Sequence, residues 1–194
     1  MKNSSKIQVK CLMIICVMTI VLTSCSQSSK TKETTFNSKT QIAKPTIDIH
    51  AAVLAGNLKA VKQHIEAGTN INQKETMSGS TPLMTAITFN KPQIVKLLIN
   101  SNAELSVKNN DGGTALHTAA FFGRIKMVKM LLDAGADKTI KDGFGATPRE
   151  TVQAEFKNMK PIYEMLILQL QPMGFKLDLN ELEKARPVIA MMLQ

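Results

Sequence analysis

Three segments of this chain open alike and stand 33 residues apart. They begin at Thr81, Thr114 and Thr147, and two of the three continue with proline. Behind the openings, apolar residues recur at helical spacing in two short runs that a turn separates. Such a turn–helix–helix unit is too small to bury its apolar face alone, so successive units must stack on one another. The period therefore predicts an all-α solenoid of stacked repeats.

The third unit shows this pattern most clearly. A first helix is predicted over Ala115–Phe122, with Thr114 as its N-cap and a stop at Gly123. A second helix is predicted over Ile125–Ala134, with a stop at Gly135. The buried side of this second helix is expected to hold Met127, Val128, Met130, Leu131 and Leu132.

A T-P-L-H-like opening at a period of 33 residues resembles the ankyrin-repeat family. The resemblance covers residues 46–170 and implies four helix–turn–helix repeats with β-turn fingers, at 46–77, 78–110, 111–143 and 144–170. The first repeat is degenerate, because Ile49-His50-Ala51-Ala52 stands in place of the motif. In the fourth repeat, Ile162-Tyr163 aligns with Met127-Val128 only after two extra residues. That alignment predicts a fourth helix pair with an altered turn.

Residues 171–194 continue beyond the resemblance. Gly174 breaks the chain, and a short helix is predicted over Asp178–Arg186. Proline costs about 3 kcal/mol inside a helix, so Pro187 predicts that Val188–Leu193 is a separate turn or the start of another helix. We expect this segment to cap the end of the fourth repeat, and a partner-binding tail is the alternative.

Residues 1–24 have the features of a secretory signal peptide. Their apolar run, Cys11–Leu22, follows a basic start and is too short to span a bilayer. The run ends in Leu22-Thr23-Ser24-Cys25, which resembles a bacterial lipobox. This resemblance implies cleavage before Cys25, lipidation of Cys25 and anchorage to a bacterial membrane on the periplasmic side, the outer membrane where one exists. An ordinary signal peptide with a coincidental cysteine is the alternative.

Residues 25–45 are polar, rich in Ser, Thr and Lys, and free of hydrophobic periodicity, so we predict a flexible tether behind the lipidated cysteine. The formal charge of the whole chain is +9, but the basic excess is spread out, and half of what remains without residues 1–24 lies in this tether. Nucleic-acid binding requires a clustered basic face with aromatic stacking. We therefore expect no nucleic-acid partner.

The sequence offers little for catalysis. His50 and His117 occupy the fourth place of the repeat motif, where we expect each side chain to brace neighbouring turns. The chain shows no metal-ligand spacing, no phosphate-binding loop and no G-x-S-x-G motif. We predict no enzymatic activity, no cofactor, no metal and no small-molecule substrate, and we expect a monomer when the protein is free.

The ankyrin resemblance implies a protein-binding surface at the turn tips and at the exposed ends of the first helices. The first-helix ends are Leu54-Ala55, Thr88-Phe89, Phe121-Phe122 and Ala154-Glu155, and the tips are Met77-Ser78, Asn110-Asp111 and Gly143-Phe144. Four of the chain's seven phenylalanines fall at these positions, and aromatic anchors are typical of interface hot spots. The alternative is that Phe121 or Phe122 packs between adjacent first helices.

Ankyrin repeats behind a lipobox resemble the ankyrin-repeat lipoproteins that act as immunity proteins against phospholipase effectors of type VI secretion. The resemblance implies a lipase or phospholipase as the protein partner and a lipid anchor at the membrane. A periplasmic scaffold or stress-related accessory protein with an endogenous partner is the main alternative. A hydrolase with an unrecognised site is a third hypothesis.

Overall fold

The computed structural model describes residues 45–194. Within that range the fold is all-helical, and none of its helices is long and apolar enough to cross a bilayer. The helices are α1 Ile49–Leu54, α2 Leu58–Glu66, α3 Pro82–Thr88, α4 Pro92–Asn100, α5 Ala115–Phe121, α6 Ile125–Asp133, α7 Pro148–Gln153, α8 Phe156–Leu170 and α9 Leu179–Met192, with a 3-10 turn at Gln171–Met173. Outside the described residues lie the predicted signal peptide, residues 1–24, and all of the predicted tether except residue 45, including Cys25.

The first six helices form three antiparallel pairs that stack as the repeat period predicts. The first helices of the pairs, α1, α3 and α5, pack side by side, and α7 continues this row. The second helices, α2, α4 and α6, form a parallel row behind it. One continuous core runs through both rows, and its fully buried members include Val53, Val61, Leu83, Ile87, Val95, Leu98, Leu116, Val128 and Leu131.

The helix ends in the third repeat follow the capping signals of the sequence. Gly123 and Gly135 have φ values of 66° and 82°, a conformation that costs glycine little and allows each helix to stop there. The predicted stops are therefore confirmed. Both helices end one residue earlier than predicted, because Phe122 and Ala134 are C-cap residues rather than helical ones.

The second helix of the fourth repeat is not the one that the sequence alignment indicated. Helix α9, rather than α8, packs against α7 and continues the row of second helices beside α6. Its buried positions Ala185, Arg186 and Ile189 repeat the spacing of Met127, Val128 and Leu131 in α6. The alignment of Ile162-Tyr163 with Met127-Val128 was therefore wrong. The C-terminal segment packs against α7 and α6 as the second helix of the fourth repeat.

Helix α9 also runs through Pro187, contrary to the predicted break. Proline removes one backbone hydrogen bond from a helix. Burial of Leu182, Ile189 and Leu193 on both sides of it compensates, since each fully buried aliphatic side chain contributes about 1.5–3 kcal/mol. Pro187 itself is on the exposed side of α9.

Residues 155–177 lie between the two helices of the fourth repeat, and we call them the insert. The insert contains α8 and the 3-10 turn, and it leaves α7 at Ala154, whose backbone is extended with φ −55° and ψ 147°. It returns to α9 after Gly174, which has a left-handed φ of 82°. The insert places aromatic side chains beside the ends of the first helices.

Candidate partner-binding surface

An aromatic cluster forms where the ends of α3 and α5 meet the insert. Phe175 of the insert packs edge-on against Phe89, with 5.9 Å between ring centroids, and against Phe122 at 5.4 Å. Tyr163 of α8 lies 4.7 Å from Phe121, which in turn contacts Phe122 at 5.0 Å. Three of the four ring pairs are edge-to-face and the Tyr163–Phe121 pair is tilted by 39°, and all four distances are those at which aromatic rings attract one another. The chain therefore covers three of its own predicted contact residues.

Polar contacts of Tyr163 tie α8 to the repeats. Its hydroxyl donates a hydrogen bond of 3.0 Å to the Phe121 carbonyl and accepts one of 3.2 Å from Arg186 in α9. Burial raises the pKa of the Tyr163 hydroxyl, and the nearby Arg186 guanidinium partly offsets this. Arg186 also donates to the Ala154 carbonyl and lies 5.7 Å from the Phe156 ring centroid. One buried arginine thus joins α9, the end of α7 and the insert.

Arg124 forms a second polar tie at the other end of the insert. Its Nη2 donates to the carbonyl of Thr88 and to the carbonyl of Lys176, each at 3.2 Å. Burial lowers the pKa of the Arg124 guanidinium. Gly123 beside it admits close packing of α9, because a Cβ there would lie 2.6 Å from Leu182 Cδ1.

The finger tips form a separate, open surface. The side chains of Met77 and Phe144 are 88% and 84% exposed, the highest values among the exposed large apolar residues. Asn110 joins the first two fingers, because its side chain donates to the Met77 carbonyl at 3.1 Å and its N–H donates to the Ser78 carbonyl at 2.9 Å. The Gly143 N–H joins the next finger through the Asp111 carbonyl at 2.7 Å. Hydrogen bonds between neighbours hold the tips in fixed positions, which lowers the entropic cost of binding.

The Glu75 carboxylate accepts hydrogen bonds across the turn of the first finger, residues 75–80. Burial alone would raise its pKa, but hydrogen bonds from the Ser78 hydroxyl and from the N–H groups of Met77, Ser80 and Ser78 lower the pKa to about 2. In the third finger Asp142 has the corresponding role, since it accepts from the N–H groups of Phe144 and Ala146 at 2.9 Å. The exposed apolar tips therefore rest on internally bonded turns.

The predicted contact residues thus fall into two groups that the structure does not bring together. Phe89, Phe121, Phe122 and Thr88 lie at the insert, while Met77, Ser78, Asn110, Asp111 and Phe144 lie on the open fingers. Leu54 is half-buried, and Glu155 is exposed and forms an ion pair of 3.1 Å with Lys157. The role of each as a contact for a partner stays a prediction.

Sequence reasoning missed the residues that hold the insert, namely Tyr163, Phe175, Arg124 and Arg186. The available signal was that Tyr163 is the chain's one tyrosine. It stands where the repeat would place an aliphatic residue. A buried tyrosine needs a partner for its hydroxyl, which the second helix of a repeat does not offer.

The histidines have structural roles, as predicted for two of them. His50 and His117 bind the backbone of neighbouring turns through Nε2, to the Gln73 carbonyl at 2.9 Å and the Ala146 carbonyl at 3.0 Å. His64, for which no role was predicted, is buried, and its Nε2 lies 2.8 Å from the Ile47 carbonyl oxygen. In residues 45–194 no group of three acidic, cysteine or histidine side chains is arranged to hold a metal ion.

Comparison with known proteins identifies the stacked helix pairs. Residues 49–142 match the family model for ankyrin repeats, in three copies. This segment is an array of ankyrin repeats. Over 63 residues the chain is 39% identical to protein phosphatase 1 regulatory subunit 27 of Homo sapiens and of Mus musculus, and the match covers 32% of this chain and 40% of each relative. The chain thus spans well under half the length of these relatives.

A solved structure supports the same assignment. The ankyrin repeat domain of Bcl-3, described as a unique member of the IkappaB protein family, superposes with a TM-score of 0.52 at 30% sequence identity. The superposition covers 53% of this chain and 45% of that one. Ankyrin repeats indicate a protein–protein interaction module.

Proposed function

We propose that this protein captures a protein partner through its finger tips, and that it serves as a membrane-anchored immunity protein against a phospholipase effector. The exposure of Met77 and Phe144 on mutually bonded fingers carries the proposal of a binding surface. Large apolar side chains exposed on turns that hydrogen bonds hold in place are typical anchors of an interface.

The immunity role is supported by the lipobox and by the physics of tethering. Lipidation of Cys25 would hold the repeats at the membrane that an incoming lipase attacks. A tether of about 20 residues gives a flexible coil with a span of roughly 25 Å. Confinement to that distance raises the effective concentration of the binder at the membrane without any new contact.

A second candidate is a subunit of an endogenous assembly. The similarity to a phosphatase regulatory subunit favours it, because that relative's name describes a protein that acts as part of a larger complex. The two candidates differ in the partner, which is a foreign or self-encoded toxin in the first case and a housekeeping protein in the second.

Co-expression with the product of the adjacent open reading frame tests the immunity role. The full chain, tagged at its C-terminus, would be purified from membranes, and lipid hydrolysis by the neighbouring product would be measured with and without it. A stable complex that suppresses lipid hydrolysis supports the proposal. A neighbour without toxic or lipase activity would contradict the immunity role and favour the endogenous assembly.

Substitution of the apolar finger-tip residues tests whether the finger tips bind the partner, whatever the partner is. We expect Met77→Ser with Phe144→Ser to weaken the complex about 30-fold, the effect of losing about 2 kcal/mol of anchor energy. Met191→Ser is a matched control, since Met191 is 62% exposed but lies on α9. If the wild type, the double variant and Met191→Ser bind the partner with equal affinity, the finger tips are ruled out as the binding surface.

A further inference from the structure

We propose that the aromatic surface beneath the insert is a second binding surface, closed by the insert and opened by a partner helix that carries aromatic side chains. The proposal rests on the proposed function only in that a protein partner exists. The surface consists of Phe89, Phe121 and Phe122 with the Arg124 guanidinium at its edge. The insert shows what chemistry fits it, because the insert supplies a helix, a tyrosine and a phenylalanine.

The repeat array is complete without the insert. Helix α9 pairs with α7 and follows α6 in the row of second helices, so the fourth repeat has both of its helices. The insert is therefore an addition to the repeat rather than a part of its core. Its removal would leave the stacking of α7 and α9 in place.

Few contacts hold the insert. Of residues 155–177 only Tyr163 and Phe175 are buried, and most of the others are exposed. Segments with few buried apolar contacts open at a lower free energy than the core does. The extended Ala154 at one end and the left-handed Gly174 at the other lie outside regular helix, where backbone rotation breaks no helical hydrogen bond.

Opening the insert would expose a surface with both apolar and polar features. The Phe121 carbonyl would lose the Tyr163 hydroxyl, while Arg124 would keep the Thr88 carbonyl and lose that of Lys176. A ligand that replaces the insert therefore needs aromatic rings, one hydrogen-bond donor for the Phe121 carbonyl and one acceptor for the Arg124 guanidinium. A helix with a tyrosine satisfies these needs, as α8 does.

A peptide of residues 155–177 is a probe for this surface. We expect a fluorescently labelled peptide to bind the full-length double variant Tyr163→Ala, Phe175→Ala at least tenfold more tightly than the wild-type chain. The physical reason is that in the wild type the attached insert competes with the peptide at a high effective concentration. A peptide that carries the same two alanines should bind neither protein.

Two controls distinguish binding at the surface beneath the insert from a general loss of stability in the double variant. Leu168→Ala removes an exposed side chain of α8, 73% accessible, and should leave the wild-type behaviour unchanged. Circular dichroism must show that the double variant keeps its helices. Absence of peptide binding to a folded double variant would overturn the proposal and would leave the finger-tip surface unaffected.

Hydrogen exchange on the wild-type full chain provides a second test, which does not require the double variant to fold. Amides of α8 should exchange at least about a hundredfold faster than those of α5, which reports local opening of the insert. Equal protection of α8 and α5 would show that the insert opens only on global unfolding and would also overturn the proposal.

Discussion

His117 connects two repeats through a single imidazole ring. Its Nδ1 accepts from the Thr114 N–H at 3.1 Å, so the proton of the neutral ring lies on Nε2 and is donated to the Ala146 carbonyl. Burial lowers the pKa of His117, with Asp142 opposing and Lys108 reinforcing this shift. The folded state therefore prefers the neutral ring, and protonation would place a donor at Nδ1 opposite another donor.

This linkage predicts acid sensitivity. Because the folded pKa lies below the unfolded value of about 6.5, the contribution of His117 is complete above that value and declines as the pH falls below it. We expect His117→Asn to lower the free energy of unfolding by about 1–3 kcal/mol at neutral pH. The variant should also show a shallower pH dependence in urea unfolding. Parallel pH curves for the two proteins would contradict the assignment.

Glu75 predicts a loss of stability in the same direction of pH as His117 but in a more acidic range. Its pKa of about 2 lies below the ordinary carboxyl value, so its contribution is present at neutral pH and is lost as the pH falls from about 4.5 to 2. In Glu75→Gln one acceptor oxygen and the charge are lost, and the first finger should loosen. We expect amide exchange at Met77 and Ser78 to become about tenfold faster. Amides of α5, far along the chain, provide the internal reference.

Among the elements, α9 departs most from the sequence-based expectation. Pro187 cannot donate to the Glu183 carbonyl, so one helical hydrogen bond is missing on the exposed side. We expect Pro187→Ala to raise the free energy of unfolding by about 2–2.6 kcal/mol, which is the interior penalty of about 3 kcal/mol less the roughly 0.4–1 kcal/mol of entropy that proline removes from the unfolded chain. Chemical denaturation at neutral pH measures this.

Pro92 is the matched control for Pro187. It occupies the first position of α4, where no intrahelical partner awaits its N–H. Pro92→Ala should therefore leave the stability unchanged or lower it slightly. A gain at Pro92 as large as that at Pro187 would show that the effect does not depend on position within the helix.

The three ankyrin repeats of residues 49–142 could be predicted from the sequence because local signals and packing agree there. Thr114, Gly123 and Gly135 mark helix ends that stacking then preserves. The second helix of the fourth repeat could not be predicted, because either of two helices, α8 or α9, could occupy that position in the row of second helices. Both α8 and α9 carry apolar residues at helical spacing, and only packing against Gly123 and α7 distinguishes them. The burial of the aromatic cluster followed from the position of α9, and the single tyrosine Tyr163 was its one local signal.

At the scale of the whole molecule, the insert and the array should be separable. Between α5 and α6 three residues suffice to connect the two helices of a repeat. We therefore expect the full chain in which residues 155–177 are replaced by Phe-Gly-Arg to remain folded, because Ala154, the three new residues and Asp178 then connect α7 to α9. Stability should fall by several kcal/mol, since the buried contacts of Tyr163 and Phe175 are lost.

Helical circular dichroism and a single cooperative urea transition would measure this outcome. The transition should remain cooperative because the nearest-neighbour interfaces of the repeats, including that of α7 with α9, are retained. The deletion should also expose Phe89, Phe121 and Phe122, which a hydrophobic dye would report as increased binding. A chain that unfolds upon the deletion would show that the insert is part of the core, whereas a folded chain with an exposed aromatic face would establish the array as an independent scaffold.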